Sequence, residues 1–178
     1  MKKWMMIGCV FLILFVSACS SSEKSVTTSG LTFDYQVDSS FETVRVWVEK
    51  YEFGMKQEEH ILEIKADIEE KGTILLTKEA MNGRNSDSLT VSVLSESGTT
   101  TESTAEVSIL EDGMMSVWSE NVSEIDPTTG VHVLGSVCYL NGGSLESLSS
   151  DFYADFETNR SDLEKYDVAY IIKSEFEK

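Results

Sequence analysis

A two-sheet, mainly antiparallel β-sandwich of about eight strands is the all-β fold that this sequence of 178 residues predicts. Three observations point to it. Apolar side chains recur at every second position in one segment after another, Gly, Asn and Asp turn signals separate those segments, and helix signals are confined to two short stretches near the C-terminus. A strand sends successive side chains to opposite faces, and a sandwich gives each strand one interior face to fill. A small barrel fits less well, because the runs vary in length and one is apolar on both parities.

The elements follow in order. Thr43 to Phe53 begins with Val44, Val46 and Val48 on one face and Arg45 and Trp47 on the other. Glu59 to Ile68 alternates Leu62, Ile64, Ala66 and Ile68 against Glu63, Lys65 and Asp67, and the two runs flank Gly54 as a hairpin. A Lys71-Gly72 turn leads into Thr73 to Thr77, and Asn82-Gly83 marks the next reversal with residues that tolerate left-handed backbone. Leu89, Val91 and Val93 share a face. Beyond a polar loop expected over Ser97 to Thr104, Ala105, Val107 and Ile109 alternate with Glu106 and Ser108, and Asp112-Gly113 turns the chain into Met114 to Trp118.

Val131, Val133, Val137 and Tyr139 share one parity of a run that also carries His132, Leu134, Cys138 and Leu140, so a central strand covered on both sides is expected there. The helix candidates are Ser144 to Ser149 and Ser161 to Tyr166, the second with Ser161 and Glu164 at capping-box spacing. Val168, Tyr170, Ile172 and Phe176 then make a closing strand.

Ahead of the domain, Lys2 and Lys3 precede the apolar run Trp4 to Val16, which ends in Val16-Ser17-Ala18-Cys19. As a helix, Trp4 to Ala18 reaches only about 22 Å, short of the roughly 30 Å hydrocarbon core, and the order basic, apolar, small is that of an export signal. The segment resembles the signal peptide and lipobox of bacterial lipoproteins. That resemblance implies removal of residues 1–18 and acylation of Cys19 as the mature first residue. It also implies a lipid anchor in the bilayer at the outer face of the cell membrane. More than one acyl chain makes such a hold stable. Residues 19–30 then comprise the lipidated cysteine and a small, polar, flexible tether, with an offset of under about 20 Å. Residues 31–178 have the size of one domain with a real core.

The formal net charge is −17, and loss of Lys2 and Lys3 with the signal takes it to −19. Such a field repels nucleic acid and anionic headgroups and favours cationic partners, besides keeping a surface protein soluble. After processing, Cys138 is the one remaining thiol, so an internal disulfide is ruled out and a small buried hydrophobe is expected at that position. His60 and His132 lie in strand-like segments without partners at zinc-site spacing. There is no glycine-rich phosphate loop, His-Glu-x-x-His helix or Gly-x-Ser-x-Gly elbow, and the sequence therefore points away from an enzyme.

Three candidate sites remain. Trp47, Tyr51 and Phe53 lie opposite the Val44, Val46, Val48 face, either as an exposed aromatic strip for another envelope or extracellular protein or as core beneath a second layer. Trp118, among Ser116, Ser119, Glu120 and Asn121, offers a flat apolar face with short hydrogen-bonding groups for a sugar or other small ligand, or packs as an edge-strand aromatic. Asp151, Asp155, Glu157, Asn159 and Asp162 are the densest oxygen-rich cluster and the candidates for Ca²⁺, although no glycine turns the loop and Phe152, Tyr153 and Phe156 tie it to the core. No other cofactor is expected. A membrane-anchored, non-enzymatic interaction module is the leading expectation, with a ligand-binding, sugar-binding or calcium-binding lipoprotein as the alternative.

Overall fold

The computed structural model describes residues 29–57, 60–81, 86–108, 113–121 and 130–178. Cys19 and most of the tether lie outside these residues, as do Glu59, the Asn82-Gly83 turn, Ile109 and Asp112. The described residues form ten strands: β1 (Ser29–Gln36), β2 (Thr43–Glu52), β3 (Met55–Lys56), β4 (Leu62–Asp67), β5 (Lys71–Ala80), β6 (Ser86–Ser95), β7 (Thr100–Ser108), β8 (Met115–Glu120), β9 (His132–Leu140) and β10 (Val168–Glu177). Two short helices, α1 (Ser150–Ala154) and α2 (Phe156–Asn159), and a 3₁₀ turn over Arg160–Lys165 separate β9 from β10.

The expected two-sheet antiparallel sandwich is what these strands build. One sheet has the order β1-β5-β6-β7, and the other runs β3-β2-β10-β9-β8, with β4 also paired to β2. Every pairing is antiparallel. Between the sheets, Val44, Val46, Val48, Leu134, Val137 and Ile172 of the larger meet Phe33, Ile74, Leu76, Leu89, Val91 and Val93 of the smaller. The alternation read in the sequence is this interface.

A second cluster covers the opposite face of the larger sheet. Tyr51, Cys138, Ala169 and Ile171 on the strands lie beneath Phe152, Phe156 and Leu163 from the helical segment. Phe152 is fully buried and meets Phe156 edge-on at 5.3 Å between centroids. Burying such a ring contributes about 1.5 to 3 kcal/mol. The larger sheet is thus a middle layer, and β9 and β10 carry apolar side chains on both faces for that reason.

Several expectations need correction. β1 was hidden by its closeness to the tether, although Leu31, Phe33 and Tyr35 alternate cleanly inward. Lys71 and Gly72 lie inside β5 instead of in a turn. The polar stretch Thr100 to Thr104 is strand β7, because an edge strand facing water needs few apolar groups. The last strand is central, between β2 and β9. Ser144 to Ser149 is not helical, and α1 begins at Ser150, where buried Phe152 and Tyr153 hold it down. The Arg160–Lys165 turn takes Asn159 as its cap without a side-chain bond, so the Ser161 capping box does not form.

Candidate functional site

β4 and β7 approach each other along one side of the sandwich. On the other side the outermost strands are β1 and β8, and there the structure holds an open groove of about 910 Å³. Its lining takes in five consecutive residues of β1, Thr32 to Gln36, together with Lys71 to Thr73 of β5, Leu94 to Glu96 at the end of β6, and Glu120, Asn121 and Leu134 of the larger sheet.

The backbone of β1 presents an edge to this groove. Val37 N–H donates to the Glu70 carbonyl at 2.8 Å, one residue past the ladder in which Gln36 pairs with Lys71. Antiparallel partners alternate between bonded and non-bonded pairs. Leu31, Phe33 and Tyr35 therefore point their backbone groups at β5, while Thr32, Asp34 and Gln36 point theirs outward. Among the described residues β1 pairs with β5 alone.

Tyr35 gives the groove its unusual polar group. The residue is only 5% exposed, yet its hydroxyl has no hydrogen-bond partner among the described residues. Its ring meets Phe176 at 5.4 Å and folds across Gly72. A Cβ on Gly72 would collide with that hydroxyl and with the Leu94 carbonyl, so the glycine makes room for the phenol. Burial, helped by the charge of Glu69, raises the pKa of the hydroxyl, which keeps it a protonated donor. Around it the lining charges are Asp34, Glu96 and Glu120 against Lys71.

Two other polar clusters are internally satisfied. On the covered face of the larger sheet, the Glu49 carboxylate accepts from Trp47 Nε1 at 3.2 Å, Tyr51 hydroxyl at 2.8 Å and Lys56 Nζ at 3.0 Å, and pairs with Lys173 Nζ at 3.0 Å. Burial pushes this carboxyl up, but the bonds from Lys173, Tyr51 and Lys56 outweigh it and hold the pKa at about 2. Lys173 also lies 4.0 Å from the Phe156 ring centroid, which ties the charge cluster to the helical cover. Between the sheets, Asp87 accepts from Tyr139 hydroxyl and pairs with Lys78, whose ammonium lies over the Tyr139 and Trp118 rings.

The aromatic strip is not an exposed surface. Trp47 and Tyr51 are 3% and 2% exposed, Trp47 packed against Arg45 and His60 and Tyr51 against Phe156 of the helical segment, and Phe53 alone of the three stands out, at a positive φ of 49°. Trp118 is half-buried against the core and is not in the groove wall, which takes up its neighbours Glu120 and Asn121. In the acidic cluster Asp155 accepts from Thr158 N–H, Asp162 pairs with Lys165 and Asn159 donates to the Asp151 and Asp155 carbonyls, while the Asp151 and Glu157 side chains are exposed on α1 and α2. Among the described residues no three His, Cys, Asp or Glu side chains converge as metal ligands. Cys138 is fully buried, and burial pushes its thiol up to about 12.

Sequence reasoning missed the groove, since it lies along β1. The signal available was the Leu31, Phe33, Tyr35 alternation, with a tyrosine opposite a glycine in the register Tyr35 to Gly72. Neither the curated proteins nor the solved structures give a match. A family model, described as a YgaN domain, matches residues 22–176.

Proposed function

We propose, for a chain that belongs to the YgaN domain family, a non-enzymatic binding module held on the outer face of the cell membrane by an acylated Cys19, with the groove between β1 and β8 as its recognition site. The observation that carries the binding reading is the Tyr35 hydroxyl, buried at a groove wall without a partner among the described residues. A buried donor left unsatisfied costs about 1 to 3 kcal/mol, and a ligand bearing an acceptor recovers that cost on binding. The Lys2 to Cys19 segment supports the anchored reading, and the family match begins at residue 22, just beyond it.

Two measurements test the two halves separately. Labelled palmitate should enter the wild-type chain, and Cys19→Ser should lose the label and leave the membrane fraction. A Cys19→Ser chain that stays membrane-bound removes the anchor. For the groove, a fragment screen by NMR on the full chain in detergent should yield hydrogen-bond acceptors that shift Tyr35, Gly72 and Leu94 and that bind more weakly to Tyr35→Phe. Hits that leave those three residues unmoved remove the groove as the site.

A further inference from the structure

We infer that the groove takes an extended peptide strand, with alternating basic and apolar side chains, which adds to the open edge of β1. This deepens the groove reading above and rests on it. Three outward-facing backbone units, at Thr32, Asp34 and Gln36, stand at the spacing an added strand requires, and all three residues line the groove. Strand addition draws affinity from these main-chain bonds and selectivity from pockets for alternate side chains. The stretch from Thr32 to Gln36 is about 13 Å long at ~3.3 Å per residue, enough to engage five or six residues of a guest.

The two faces of such a guest meet different surroundings. Side chains turned inward meet Phe33, Leu134 and the Tyr35 hydroxyl, so one parity is apolar with room for a polar contact. The charged lining of the groove is Asp34, Glu96 and Glu120, all exposed, against the single cation Lys71. The formal net charge of −17 carries the same preference to long range. Polar Thr32, Asp34 and Gln36 on the outward face also discourage indiscriminate pairing with apolar strands, which is how an exposed edge stays soluble. An acidic or neutral strand meets three carboxylates; a basic one meets complementary charge. The committed occupant is therefore a basic-apolar segment of another protein.

The test uses the ¹⁵N-labelled full chain in detergent micelles and three capped hexapeptides: Lys-Val-Lys-Val-Lys-Val, the same peptide with its central valine replaced by proline, and Glu-Val-Glu-Val-Glu-Val. The basic peptide should bind saturably and slow amide exchange at Thr32, Asp34 and Gln36 but leave Leu31 and Phe33 unchanged. The proline and acidic peptides should each bind at least tenfold more weakly, and Asp34→Lys should weaken the basic peptide about tenfold at low salt. Equal binding of the proline peptide, or protection elsewhere on the chain, overturns strand addition. A parallel set of small neutral hydrogen-bond acceptors separates the two levels of inference. If those compounds shift Tyr35 and Gly72 while no peptide binds, strand addition is wrong and the groove reading stands. If neither class moves the groove, both fall.

Discussion

The hydroxyl of Tyr139 on β9 donates to Oδ2 of Asp87 on β6 at 2.8 Å, a hydrogen bond that crosses from one sheet to the other. The same carboxylate oxygen lies 3.1 Å from Lys78 Nζ, and both carboxylate and ammonium are largely out of water. A buried pair broken on one side leaves an uncompensated charge, typically at 3 to 5 kcal/mol, whereas loss of one neutral donor costs about 1 kcal/mol. Asp87→Asn should therefore lower the unfolding free energy by about 3 kcal/mol and Tyr139→Phe by about 1, read from urea midpoints. Equal effects would show that Lys78 is not held by the pair.

Glu49 makes a prediction about acid. Its pKa lies at about 2, below the ordinary 4.5, so the native state prefers the charged form. The stability this contributes is complete above about pH 4.5 and disappears as pH falls toward 2, with a size of about 3 kcal/mol at 1.36 kcal/mol per pKa unit. Glu49→Gln should be destabilised most at pH 6, and its gap from the wild type should narrow as pH falls to 2. A gap that stays constant over that range would remove the charged carboxylate as its source. Lys173→Met should cost less than Glu49→Gln, because Trp47, Tyr51 and Lys56 still donate to the carboxylate.

Gly72 and Tyr35 should behave as a coupled pair. Gly72→Ala places a methyl against both the Tyr35 hydroxyl and the Leu94 carbonyl, and overpacking of this kind costs about 1 to 3 kcal/mol. Tyr35→Leu should recover part of that loss in the double variant, since the clash with the carbonyl remains. Full additivity of the two substitutions in a denaturation cycle would show that the phenol does not lie over the glycine.

The helical cover should govern thiol access. Cys138 lies in the cluster that Phe152 completes, and Phe152→Ala opens a cavity at about 3 to 5 kcal/mol. Wild-type Cys138 should react with an aromatic disulfide reagent only on unfolding, whereas Phe152→Ala should label at least tenfold faster under native conditions. An unchanged rate would place the opening that exposes the thiol elsewhere.

The architecture was legible where packing obeys local periodicity, and less so where a third layer intervenes. Val44, Val46 and Val48 face the core as their alternation requires. Trp47, Glu49 and Tyr51 share the other parity, and a strand alone does not say whether that face meets water or a helix. The answer lay about a hundred residues along, in Phe152 and Phe156. Gly72 illustrates the opposite error: glycine and lysine together signal a turn, but here the glycine stays in a strand because a tyrosine on the neighbouring strand fills the space of its missing side chain. The groove escaped because it is built jointly by β1, β5, the end of β6 and residues of the larger sheet, segments that lie far apart in the chain.

The position of β10 has a consequence for the timing of assembly. It is the last strand in order, yet it forms the seam between β2 and β9. As the polypeptide emerges N-terminus first, the smaller sheet has all its strands early, while the larger one remains two unjoined halves until Val168–Glu177 arrives. Contacts of such long sequence separation form slowly. A protein arranged this way can close its larger sheet only once the whole chain has been made, however early its smaller sheet pairs.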